Sequence, residues 1–116
     1  MRDMFRGCTS LVKAPSVLLM DYVPFGTYTS MFNGCTSLVA GPEILATFMY
    51  SGAMDNMFNG CTSLTSVKIN KTTWVSQSNW LASVAASGTI YAPTGSDIAN
   101  YSGTNGVPSG WTVVYY

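Results

Sequence analysis

The octapeptide MFNGCTSL occupies residues 31–38 and returns unchanged at 57–64, and a near copy, MFRGCTSL, fills 4–11. No other feature constrains the fold as strongly. Cys8 and Cys35 are 27 residues apart, and Cys35 and Cys61 are 26 apart. The match extends outward from the octapeptide: Met1, Tyr28 and Met54 each stand three residues before a Met-Phe pair, and Leu11, Leu38 and Leu64 each three after a cysteine. Units of this length cannot bury an apolar face alone, and stacking copies joins their faces into one core.

Each unit reads as two short elements. Thr29 and Ser30 have the chemistry of helix N-caps, Asn33-Gly34 that of a stop, so the spacing predicts one helical turn around Met31-Phe32. The leucine opens the second element, and Leu64, Val67 and Ile69 in LTSVKI end in the alternation of a strand. Pro15 and Pro42 fall in the equivalent segments, which are therefore expected to be short or irregular, because proline donates no ladder hydrogen bond. Beyond residue 70 the style changes. Trp80, Leu81, Val84 and Ala85 within 76–87 have helical spacing, 88–93 reads as a strand, 95–103 as helical turns with Ser96 as N-cap, and 110–116 as a last strand. Val67, Ile90 and Val113 are 23 residues apart in turn. The expected fold is an α/β repeat of about five rungs, one short parallel strand per rung, with short helical turns between. Residues 1–69 hold three repeats and 70–116 two divergent capping rungs, in one continuous domain.

Only 9% of the 116 residues are charged, against about 25% in ordinary soluble proteins. Five basic and five acidic residues cancel, leaving no cationic footprint for a phosphate backbone, so no nucleic-acid partner is expected. No apolar run approaches the roughly 20 residues of a membrane span. Residues 1–15 lack the apolar stretch of a signal peptide. Ser, Thr and Asn must solvate the surface instead, a composition suited to exported or particle-surface proteins.

The three cysteines have no C-x-x-C pair and the chain has no histidine, so the spacing supplies neither a zinc set nor a redox motif. Equivalent cysteines on adjacent strands would hold their Cβ atoms about 4.8 Å apart, outside the roughly 3.5–4.5 Å of a disulfide. A ladder of buried, reduced thiols is the expectation, without metal or cofactor. Asp3, Asp21, Glu43, Asp55 and Asp97 form no acid–base motif, and no serine sits in a nucleophile elbow. No enzyme is expected. The binding candidates are aromatic: Tyr22, Phe25, Tyr28, Phe48 and Tyr50 in the variable segments, and Trp74, Tyr91, Tyr101, Trp111, Tyr115 and Tyr116 near the end. Alternation sends Lys68, between Val67 and Ile69, and Tyr91, between Ile90 and Ala92, away from the core, so these two are the predicted ligand contacts.

MFNGCTSLTSVKI resembles the BspA-like bacterial surface leucine-rich repeat, whose units carry an F-x-x-C-x-x-L frame before a short strand. The frame is Phe5-Cys8-Leu11, Phe32-Cys35-Leu38 and Phe58-Cys61-Leu64, with Trp80 and Trp111 expected to pack the cap. The tail, GTIYAP and GVPSGWTVVYY, more loosely resembles segments that follow such repeats in proteins of gut anaerobes and their phages. The resemblance implies a leucine-rich-repeat solenoid at a cell surface, engaging a host or bacterial surface protein or glycan. A phage tail or tail-fibre component, on a virion, is the alternative. A purely architectural role, self-stacking through an uncapped N-terminal rung, is the second. Family members usually have many more repeats, so the chain reads as the C-terminal part of a longer array.

Overall fold

The octapeptides fold as tight turns, not as helix. In the computed structural model, which describes all residues but 1, 20, 21, 24, 25, 46, 47, 71 and 72, the second copy is a run of i to i+3 hydrogen bonds. Met31 N–H donates to Tyr28 O (3.2 Å), Asn33 to Ser30 (3.1 Å), Cys35 to Phe32 (3.0 Å) and Leu38 to Cys35 (3.1 Å). Two left-handed residues, four apart, bracket every turn: Asp3 and Gly7, Ser30 and Gly34, Asn56 and Gly60, Asn79 and Ser83, with φ between 53° and 84°. An α-helix admits neither. Ser30 is thus no N-cap; it and its Asp and Asn counterparts supply the short polar side chains that such a backbone favours. The same geometry at Asn79 and Ser83 replaces the helix expected over 76–87. The one regular helix among the described residues is the 3-10 turn Ile98–Asn100, where Ser96 Oγ accepts from Ile98 N–H at 3.4 Å.

Among the described residues seven short strands follow the turns: β1 (Val17–Leu19), β2 (Tyr22–Val23), β3 (Ala40–Leu45), β4 (Phe48–Met49), β5 (Ser66–Ile69), β6 (Gly88–Ala92) and β7 (Trp111–Tyr115). Five form one sheet, in the order β1-β3-β5-β6-β7 and parallel throughout, while β2 and β4 pair in parallel in a small second sheet. The molecule is therefore a parallel sheet with almost no helix. Pro42 does not shorten its strand, since β3 is the longest; instead the register with β5 shifts between Ala40 and Glu43, a bulge that absorbs the missing donor. The first unit has β1, the two-residue β2 and an isolated bridge from Lys13 to Ala40.

The turns lie against one another as the strands do, and their bonds have one direction. Asp3, Phe5 and Gly7 donate N–H to the carbonyls of Thr29, Met31 and Asn33 (2.7–3.1 Å). Ser30, Phe32 and Gly34 donate to Asp55, Met57 and Asn59, and Asn56, Phe58 and Gly60 to Ser78, Trp80 and Ala82. Inside this ladder the rings of Phe5, Phe32 and Phe58 stack at 5.3 and 5.5 Å, within 7° of parallel. Trp80 continues the column at 6.1 Å but tilts by 60°, and Trp74 packs on Trp80 at 4.7 Å. Phe32, Leu38, Phe58, Leu64, Trp80 and Trp111 are all buried.

The beginning and end of this core differ. Cys8, expected in the buried ladder, is exposed, and Phe5 and Leu11 are only half-buried, because the second unit covers the first on one side alone. At the other end, side chains take over from backbone. Gln77, fully buried, accepts from Met54 N–H at 2.8 Å and donates to Tyr50 O at 3.0 Å. Asp97 accepts from Trp74 N–H (2.6 Å) and Asp55 from Ser78 N–H (2.7 Å). Trp111 packs against Gly88, where any Cβ would stand 2.5 Å from its ring, and its indole N–H donates to Ala85 O at 2.9 Å.

Candidate ligand-binding face

Alternation along β5, β6 and β7 places Val67, Ile69, Ile90, Ala92 and Trp111 in the core and sends their neighbours to the opposite face. Because the strands are in register, those outward residues form rows. One row is Ser66, Thr89 and Thr112; the next is Glu43, Lys68, Tyr91 and Val114, reaching Val17 on β1. The predicted pair Lys68 and Tyr91 are thus direct cross-strand partners.

Their circumstances are different. Lys68 is engaged twice: its Nζ is 3.6 Å from Glu43 Oε1 and 4.7 Å from the centre of the Tyr116 ring. Tyr116 is anchored in turn, its hydroxyl donating to Ile69 O at 2.8 Å. Tyr91 is 41% exposed and borders an open groove of about 540 Å³, together with Thr65, Ser66, Ser87, Gly88, Thr89, Gly110 and Thr112. Lys68 is not among the lining residues.

The groove is a neutral surface of hydroxyls beside one aromatic ring. Hydroxyl groups both donate and accept, so such a floor suits a ligand that does the same. Its hydroxyls have no histidine to act as base, since the chain contains none. Among the described residues no group of three or more Cys, Asp or Glu is placed to hold a metal ion. No helix among them is long and apolar enough to cross a membrane. The sequence points to Tyr91 and Lys68 but not to the row Ser66, Thr89 and Thr112. Its signal lies in the 23-residue spacing of Val67, Ile90 and Val113, each of which follows one of these three residues.

The cysteines make a separate set. Cys35 Sγ donates to Phe5 O and Cys61 Sγ to Phe32 O, both at 3.0 Å, so each buried thiol satisfies a carbonyl of the turn before it. All three cysteines are free. Burial pushes the Cys61 thiol up to about 12, helped by the proximity of Cys35 and opposed by a backbone hydrogen bond; burial also raises Cys35. Protonated, enclosed thiols are poor nucleophiles, which makes these two structural. Of the other aromatic candidates, Phe25 lies outside the described residues, Tyr28, Trp74 and Trp111 are buried in the core, and Tyr50, Tyr115 and Tyr116 are exposed. No protein-family model matches the chain, and searches of curated proteins and of solved structures find no match.

Proposed function

We propose that the chain is a leucine-rich-repeat solenoid of the BspA-like kind, acting without catalysis as an extracellular recognition or adhesion module for a surface glycan or protein. The supporting observation is the outward face of β5–β7. Ser66, Thr89 and Thr112 line up there in register beside the exposed ring of Tyr91. Neutral hydroxyls next to an aromatic face match the two surfaces of a sugar, its polar rim and its apolar C–H face. The repeat supports the reading too, because residues between the core positions can vary without disturbing the stack.

A glycan array probed with the full chain tests this reading, with Tyr91→Ala and Thr89→Val measured alongside. Binding to a defined set of neutral glycans that falls at least about tenfold (~1.4 kcal/mol) in either variant supports it. Glycan binding that both variants retain in full moves the site off this face. An array without hits, followed by capture of a surface protein whose affinity Tyr91→Ala lowers, retains the face and changes the ligand to protein.

A further inference from the structure

Lys68 is the one charged residue on β5, β6 and β7, and it stands beside the groove without lining it. Two of its outward neighbours do line the groove: Ser66, two residues earlier on the same strand, and Tyr91, its cross-strand partner. On a regular strand the Cα atoms of Ser66 and Lys68 are about 6.6 Å apart, a distance that a flexible lysine stem spans. Whether the groove carries a positive charge therefore depends on which way this one side chain turns. Two contacts turn it away. Glu43, its partner on β3, holds the ammonium at 3.6 Å on the side opposite Tyr91. Tyr116, two residues beyond Val114, places its ring 4.7 Å from the same ammonium. That ring is fixed, because its hydroxyl donates to Ile69 O at 2.8 Å. Its backbone is fixed too: the N–H donates to Ala92 O, and the carbonyl accepts from Thr94 N–H and Thr94 Oγ1, each at 2.9 Å. Contacts between groups this exposed add little to stability. What they set is a direction, along the strand and across it away from Ser66, Thr89 and Thr112.

Resting on the glycan reading of this groove, we propose that Glu43 and Tyr116 determine its specificity. By holding the Lys68 ammonium outside, they make the site one for uncharged sugars and set it against sugars that carry a carboxylate. An anionic substituent laid on Ser66, Thr89 and Thr112 gives up water and finds neutral hydroxyls but no cation in return. A neutral sugar gives up less, and its hydroxyls exchange hydrogen bonds to water for equivalent ones to the floor. Selectivity of this kind comes from what is withheld from the wrong ligand as much as from what is offered to the right one. Neither Glu43 nor Tyr116 lines the groove, so both act through Lys68 as positioning residues.

The test is an array of matched glycan pairs, each neutral oligosaccharide beside the same oligosaccharide with one sugar replaced by its uronate, probed with the full chain. The native chain should bind the neutral members at least about threefold more tightly. Glu43→Gln combined with Tyr116→Leu frees the ammonium to swing over Ser66, and should raise the uronate-to-neutral affinity ratio at least about tenfold. Glu43→Gln alone, which leaves the Tyr116 anchor in place, should raise it at least about twofold. Adding Lys68→Met to the double variant should return the ratio to its native value. Asp3→Asn removes the same charge from the first turn, in the ladder of turns and not on the sheet, and should leave the ratio where it was. A native preference for the uronates overturns the proposal, as does a ratio unmoved in the double variant. So does a rise that survives Lys68→Met, or an equal rise in Asp3→Asn. Each of those outcomes leaves glycan binding itself in place. Failure of the native chain and of every variant to bind any member of either set refutes the glycan reading, and the specificity assignment with it.

Discussion

The first and third copies of the octapeptide differ by one letter, Arg6 against Asn59, yet they live in different media. Phe58 is sandwiched between Phe32 and Trp80 and Cys61 is enclosed, whereas Phe5 is stacked on one side and Cys8 meets solvent. The turn itself is unchanged, with left-handed residues at Asp3 and Gly7 as at Asn56 and Gly60. Local conformation is thus written in the unit, and burial is conferred by the neighbours. Even the exposed pair follows this division: Asp3 and Arg6 make an ion pair at 3.6 Å where Asn56 and Asn59 make a neutral hydrogen bond at 3.0 Å.

The widest separation between the two copies should appear in Phe58→Ala against Phe5→Ala. Emptying the site of a fully buried phenylalanine costs about 3–5 kcal/mol. The half-exposed ring, with one stacking partner, should cost roughly 1–2 kcal/mol. Urea unfolding of both variants measures the difference, and equal losses would mean that the first turn is as enclosed as the third.

Gln77 sharpens the contrast between a closed and an open end. Its buried amide satisfies Met54 N–H and Tyr50 O, where the third turn hands over to the divergent tail. Gln77→Leu keeps the size of the side chain and strands those two groups, for an expected loss of about 2–4 kcal/mol, at roughly 1–3 kcal/mol per buried unsatisfied group. Removing the Arg6–Asp3 pair at the open end, both members of which are exposed, should change stability by less than about 1 kcal/mol. Comparable effects at the two ends would refute the assignment of Gln77 as a cap.

Much of this was legible in the letters. The repeat dictated the parallel sheet, and the spacing of Val67, Ile90 and Val113 located β5, β6 and β7 in mutual register. The expectation that fails is the N-cap at Ser30, which is a left-handed residue like Asn56 and Asn79 at the equivalent positions. Helix caps and left-handed turn residues draw on the same short polar side chains, and nothing local distinguishes them. Only the glycine four residues later, Gly34 or Gly60, marked the second left-handed position. Cys8 misled for another reason: its copy matches the motif fully, and exposure depends on the layer beside it. Alternation places Lys68 on the outward face, but its engagement by Glu43 and Tyr116 brings together β5, β3 and the residue after β7, which no periodicity reveals.

Alkaline pH offers a third way to separate the copies. The folded Cys61 pKa, near 12, lies above its ordinary value of 9.0, so the unfolded chain loses this proton first. The contribution is therefore intact below pH 9 and is lost as pH rises toward 12, by up to about 1.4 kcal/mol per pH unit. Comparing the pH dependence of urea midpoints in the native chain and in Cys61→Ala isolates this component from the tyrosines and lysines. The two pH slopes should coincide below pH 8 and diverge above pH 9. Matching slopes in the two proteins at all pH values would place Cys61 in water.

The smallest effect concerns a group that the stack encloses without a partner among the described residues. Tyr28 occupies the position that Met54 holds one unit later; it is buried, and its hydroxyl makes no hydrogen bond among the described residues. A buried hydroxyl that has left water without compensation costs roughly 1–3 kcal/mol, part of which the ring's own burial offsets. Burial also raises its pKa, the direction expected of a hydroxyl held neutral in an apolar site. Tyr28→Phe removes the oxygen and keeps the ring, so the variant should be as stable as the native chain or more stable by up to about 1 kcal/mol. A loss of 1 kcal/mol or more on that substitution would show that the hydroxyl has a partner in solution. The position would then belong with Gln77, as a polar contact that closes the core, and not with Phe58, as a packing contact that fills it.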